Sequence, residues 1–161
     1  MTVKSIDKDL DTLTLTLTAD FPAPPDKAWQ LWADPRRLER WWGRPTHPAT
    51  FEEHDLTPGG DVTYFMTGPE GDKHCGYWRV AAVEPPASLE FTDGFAHPDG
   101  TPNAELPTMS VRVRLLAQDG GTRLEMRSHF DSREQMEQLI NMGLAEGLTV
   151  AAGQMDALLA E

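Results

Sequence analysis

The stretch SREQMEQLINMGLAEGLTVAAGQMDALL, residues 132–159, decides the fold. Ser132 followed three positions later by Gln135 is a capping box, in which the serine hydroxyl accepts from an otherwise unpaired first-turn amide and so opens a helix. Placed at about 100° per residue, Met136, Leu139, Ile140, Gly143, Gly147, Val150, Ala151 and Leu158 share one stripe, whereas Arg133, Glu137 and Asp156 fall elsewhere. This spacing predicts one helix of about 40 Å, long enough to cross a sheet. Gly143 and Gly147 lie within the stripe and each costs about 1 kcal/mol against alanine, so close backbone packing or a kink beside a cavity is expected there. Glu137, Gln138 and Glu146 make the helix too polar for a membrane glycine zipper.

Upstream of that helix the pattern changes from a helical period to a period of two. Leu13, Leu15 and Leu17 alternate with threonines over residues 12–18, which predicts a strand with one buried face. Residues 50–56, 62–66, 73–83, 89–92, 109–116 and 122–130 read as further strands. Thr57-Pro58-Gly59-Gly60, Pro85-Pro86 and Asp119-Gly120-Gly121 supply turns between them. Residues 95–107, rich in Pro, Gly and Asp, read as a long excursion. Two short helices interrupt the strands, one over residues 26–32 and one opened by Asp34 as N-cap with Pro35 at its first position and closed by Gly43 and Pro45. The order predicts an α+β fold: a curved antiparallel sheet of about six to seven strands, two short helices and the long C-terminal helix. Residues 1–161 are expected to form one domain, with a core over about residues 10–160.

Acidic residues outnumber basic ones by 26 to 14, a formal net charge of -12, so the long-range field repels phosphate backbones and anionic membranes. Neither nucleic acid nor membrane is therefore an expected partner. No apolar run approaches the roughly 20 residues of a membrane span, and no secretion signal precedes Asp11. Cys75 is the single cysteine, which excludes an internal disulfide and fits a reducing, cytoplasmic setting. It has no helix N-terminus to activate it and reads as an inert thiol.

Several strings, in this order, resemble a known family. They are Phe21-Pro22-Ala23-Pro24-Pro25 with Ala28-Trp29 and Leu31-Trp32; Leu38-Glu39-Arg40-Trp41-Trp42-Gly43; Asp55-Leu56-Thr57-Pro58-Gly59-Gly60; and Val83-Glu84-Pro85-Pro86 with Leu89 and Phe91-Thr92. Together with Met136-Glu137-Gln138, Met142-Gly143 and Glu146-Gly147 they resemble the bacterial proteins similar to the activator of the heat-shock chaperone ATPase, in the START-like, Bet v allergen-like SRPBCC superfamily. The resemblance spans nearly the whole chain. It implies a helix-grip fold with an internal apolar cavity, but no single activity, because the superfamily includes lipid carriers, cyclases, receptors and chaperone cofactors. It also raises a stress-response role and a chaperone partner, although the eukaryotic activator engages its chaperone through a further domain for which this chain has no length.

The residues indicate what would line such a cavity. Tyr64, Met66, Trp78, Phe91, Met109, Val111 and Met126 fall on the inferred inward strand faces, opposite Met136, Leu139 and Gly143 of the helix. Trp32 and Trp41 would close one end, and aromatic and methionine side chains suit adaptable apolar ligands. The same side chains would serve equally as plain core. Polar candidates are Tyr64, His54, Gln154 near the middle of the helix stripe, and Glu146 at its edge. Buried, Glu146 would exchange protons; solvated, it is an ordinary flank residue. His47, His54, His74, His97 and His129 are scattered, and His74 and Cys75 leave opposite strand faces, so no metal site is expected. No nucleophile elbow, phosphate loop or dinucleotide fingerprint occurs, so neither a catalytic motif nor a cofactor is expected.

Three readings follow. The first is binding of a small hydrophobic molecule, lipid-like or aromatic and polyketide-like, in the cavity. The second is a polyketide cyclase-like enzyme in which Glu146, His54 or Tyr64 moves protons. The third is a protein-interaction module using an exposed apolar patch at Trp41-Trp42, with a homodimer through an edge strand or that patch as a further expectation.

Overall fold

The computed structural model describes residues 2–161; Met1, the first residue of the expected domain, lies outside them. The elements are β1 (Thr2–Asp9), β2 (Thr14–Phe21), α1 (Pro25–Ala33), α2 (Pro35–Trp42), β3 (Ala49–His54), β4 (Asp61–Thr67), β5 (Lys73–Glu84), β6 (Ser88–Phe95), β7 (Met109–Gln118), β8 (Gly121–Phe130), α3 (Arg133–Asn141) and α4 (Leu144–Leu159). The strands form one antiparallel sheet in the order β1-β2-β8-β7-β6-β5-β4-β3. Bulges at Val3/Ser5, Phe51/Glu53 and Val80/Ala82 shift the register and add twist, which lets the sheet curve. Among the described residues no helix is long and apolar enough to cross a membrane.

The sheet has eight strands, not six to seven. The extra one, β1, is an edge strand with exposed Lys4, Asp7, Lys8 and Asp9 and only half-buried Val3 and Ile6. An edge facing water on most of its surface needs no strict alternation, so the pattern that marks the other strands is missing there. Next to it, Leu15, Leu17, Ala19 and Phe21 are buried along β2, while Leu13 takes φ 56° in the preceding turn and does not join the strand. The helix starts follow the sequence closely. The Asp34 carboxylate accepts from the Arg36 amide at 2.9 Å, and the Ser132 hydroxyl accepts from the Gln135 amide at 3.1 Å.

The C-terminal helix is two helices, which corrects the expectation of a single rod. Asn141 ends α3, and Gly143 turns the chain at φ 96°, a left-handed conformation that glycine adopts without the strain of a Cβ. The break also shifts the helical phase. On α4 the buried residues are Leu148, Ala151, Ala152, Met155 and Leu159, so Val150 and Leu158 of the expected stripe are only half-buried. Two side chains tie α4 back to the short helices. Gln154 Nε2 donates to the carbonyls of Trp41 at 3.0 Å and Gly43 at 2.8 Å, satisfying the end of α2, and Lys27 Nζ donates to the Leu159 carbonyl at 3.0 Å.

Candidate functional site

Between the concave sheet face, the end of α2 and the α3–α4 break lies a pocket of about 480 Å³. That volume falls in the range of pockets that enclose small organic ligands. Its walls are mainly apolar: Met66 from β4, Met109 and Val111 from β7, Met126 from β8, and Leu139, Leu148 and Ala151 from the two helices. Behind one wall stands an aromatic cluster. Trp42 packs edge-on against Trp78, Tyr64 and Trp41 at ring separations of 4.9, 5.7 and 5.6 Å, and Trp78 stacks on Phe91 at 4.1 Å. Both neighbouring tryptophans thus belong to the interior, although they lie about 100° apart on their helix. Trp41 is the fully buried one and donates from its indole to the Leu31 carbonyl at 2.8 Å; Trp42 lines the pocket.

Eight expected cavity residues line the pocket: Trp41, Tyr64, Met66, Met109, Val111, Met126, Leu139 and Gly143. Seven do not. Trp32, Trp78, Phe91 and Met136 are buried core beneath or beside it. His54 bonds the Trp32 carbonyl at 2.9 Å, and Gln154 is occupied at the end of α2, so both polar side chains hold helices in place and neither lines the pocket. Glu146 is exposed, because the break at Gly143 rotates α4 relative to a continuous helix.

The main polar feature inside pairs the expected Tyr64 with a residue that was not anticipated, Asp93. The Tyr64 hydroxyl donates to Asp93 Oδ1 at 3.0 Å, and both side chains line the pocket. Tyr64 stands on β4 and Asp93 on β6, two strands apart, with β5 between them. The phenol crosses β5 above Gly76, the residue that pairs with Tyr64 in the ladder, and a Cβ added at Gly76 would overlap the tyrosine ring. Absence of a side chain on that one residue therefore creates the pair. Burial pushes the Asp93 carboxyl up to about 7, while the Tyr64 hydroxyl and the Gly94 amide pull it part of the way back. Asp93 retains a little exposed surface, but as a pocket-lining residue it is surrounded mainly by protein atoms, so desolvation governs it. Burial and the neighbouring carboxyl hold the Tyr64 phenol well above its ordinary range, so it stays a donor. The Trp42 indole N–H weakly opposes that shift but meets no partner with hydrogen-bond geometry. The Ser128 hydroxyl, in another pocket-lining residue, is also buried without a partner. Asp93 was legible in principle, because extending the inward alternation of Leu89 and Phe91 by one step reaches it.

The rim is built by Arg44 and His47, from the loop after α2, and by His74 at the start of β5. The two imidazoles, scattered in sequence, lie 5.7 Å apart. Exposed Met142 and the turn at Gly143 complete the opening.

A curved antiparallel sheet closed by a C-terminal helix over a mainly apolar pocket defines a helix-grip, START-like protein. The family described as Activator of Hsp90 ATPase homolog 1-like protein matches residues 22–160, and the chain belongs to that family. Among solved structures, protein Ms6760 from Mycobacterium smegmatis is 51% identical, with a TM-score of 0.91 over 98% of this chain and 97% of its own. A protein from Arthrobacter aurescens is 46% identical, with a TM-score of 0.94 over 99% and 92%. DynU16, described as a putative protein in the dynemicin biosynthetic locus, is 22% identical with a TM-score of 0.68, covering 92% of this chain and 47% of its own, and shares the fold. A search of curated proteins found no match.

Proposed function

We propose that this protein binds a small, largely apolar molecule in the pocket between the sheet and the α3–α4 break. The observation that carries this reading is the pocket itself: about 480 Å³ enclosed mainly by aliphatic, methionine and aromatic side chains, with a few placed polar groups. Apolar surface of this extent facing a cavity is stabilised by an apolar occupant. The interaction-module reading draws less support. Met142 is the exposed large hydrophobic side chain among the described residues, and Trp41 and Trp42 belong to the interior cluster. Native mass spectrometry of the purified protein tests the binding reading. A retained organic molecule, released on denaturation, is the expected result. A bare protein whose melting temperature is also unmoved by fatty acids and aromatic ketones would refute it.

The Asp93–Tyr64 pair favours a second reading, proton transfer to or from a bound carbonyl compound. A carboxyl held up to about 7 populates both its acid and its base form near neutral pH, as a general acid–base group requires. Deuterium wash-in at the α-carbons of 2-undecanone, followed by NMR, should be accelerated by the protein and lost in Asp93→Asn. Equal rates with both proteins would remove this reading and leave the first intact.

A further inference from the structure

Arg44 is placed unlike the other arginines of this chain. Every other arginine except Arg127 has a carboxylate within 3.9 Å, and Arg127 acts electrostatically on Asp9. In a chain where 26 acidic residues face 14 basic ones, an arginine without such a partner stands out. Among the described residues, the hydrogen-bond partner of Arg44 is a backbone oxygen, with Nη2 donating to the Gly143 carbonyl at 3.2 Å.

The seat of that side chain is built by the two glycines that the helix pattern left to be explained. A Cβ at Gly143 would stand 3.2 Å from Arg44 Nη2, and one at Gly147 would stand 3.6 Å from it. The guanidinium thus lies across the start of α4 at the pocket's edge, tight against Gly143 and at ordinary contact distance from Gly147. His47 and His74 line the same rim. Thr46 engages His47 Nδ1 at 2.8 Å and Asp72 holds His74 Nε2 at 2.6 Å, which leaves the other nitrogen of each ring without a protein partner among the described residues. Asp72 and exposed Glu146 are nearby carboxylates, but neither lines the pocket.

We infer that the pocket takes an amphipathic acid, its apolar body inside and its carboxylate at the rim on Arg44, with His47 as an accessory donor. This rests on the binding reading above. A guanidinium with no carboxylate partner among the described residues, beside an apolar opening, supplies the charge-assisted bonds that a carboxylate requires, and the apolar walls supply the remainder of the affinity. Asp93 lines the same pocket from β6, whereas Arg44 and His47 come from the loop after α2 and His74 from the start of β5.

The test pairs acids with neutral analogues of the same body: decanoate with decanol, and 2-naphthoate with 2-naphthol, titrated by calorimetry at pH 7.5. The expected result is that at least one acid binds tenfold or more tightly than its analogue. In folded Arg44→Gln, checked by circular dichroism, the acid should fall to the affinity of the analogue while the analogue is unchanged. Equal binding of acid and analogue to the unaltered protein overturns this inference and leaves the pocket reading standing. An equal loss for both ligands in Arg44→Gln also overturns it. Failure of all four probes to bind overturns both.

Discussion

Replacing Asp93 with asparagine isolates the cost of keeping a carboxyl inside the pocket. In the folded protein that carboxyl is raised from 3.8 to about 7, chiefly by burial. The sign follows from linkage: the native state holds the proton more tightly than the unfolded chain does, so stability falls as pH climbs between those two values and levels off above the higher one. Between pH 5 and pH 8 the two values give a loss of about 2–3 kcal/mol at 1.36 kcal/mol per unit, to order of magnitude. Asparagine keeps an oxygen to accept from Tyr64 and has no proton to lose, so it removes the pH-dependent part alone. Urea unfolding of both proteins, followed by tryptophan fluorescence at half-unit steps, yields the difference with most other titrations cancelled. Asp93→Asn should gain on the unaltered protein steadily from pH 5 to pH 7 and then hold its lead. A difference independent of pH would show that Asp93 titrates like an exposed carboxylate and that the desolvation argument is wrong.

Gly76→Ala should cost about 1–3 kcal/mol in urea unfolding, because its methyl group overlaps the Tyr64 ring, and should displace the phenol from Asp93; a crystal structure with that hydrogen bond intact would contradict this account. The two glycines at the start of α4 should respond in opposite senses. Gly143→Ala meets a left-handed backbone and a crowded Arg44 and should lose about 1–2 kcal/mol, whereas Gly147→Ala meets ordinary contact distances in a helix and should gain up to about 1 kcal/mol. Thermal melts of both variants decide it, and equal effects would refute the distinction. Ser132→Ala removes the acceptor of the Gln135 amide and should destabilise by about 1 kcal/mol in the same assay.

The architecture was legible wherever burial imposes a period. Leu15 and Leu17, Leu89 and Phe91, and Val111 and Val113 alternate because one face of their strands is excluded from water, and those positions are buried as the pattern requires. Legibility failed where no such constraint operates, as in β1, whose edge position relaxes the alternation. Beyond Gly143, where the expected kink is present, the helical phase was lost for a more specific reason. Helical periodicity assumes a constant phase, and one left-handed residue resets it, so Glu146, placed at the edge of a continuous stripe, is exposed instead.

The polar site was harder to read because none of its members is local to another. Tyr64 and Asp93 are 29 positions apart and meet only because an intervening strand carries glycine at one step. His47 and His74 come together only once a loop after α2 folds beside the start of β5. The histidines offered no metal-ligand spacing, and the kink expected at the glycines is the break at Gly143 beside the pocket, but the approach of Arg44 to that break could not be read from the pattern. Those glycines are unfavourable for the helix, Gly76 leaves a strand without a side chain, and Asp93 weakens the fold above pH 5. These costs lie in the walls of one pocket or directly beneath a residue that lines it. Cost gathered at one place supports the proposed binding reading, because ordinary core packing would replace each of these residues with one that costs less.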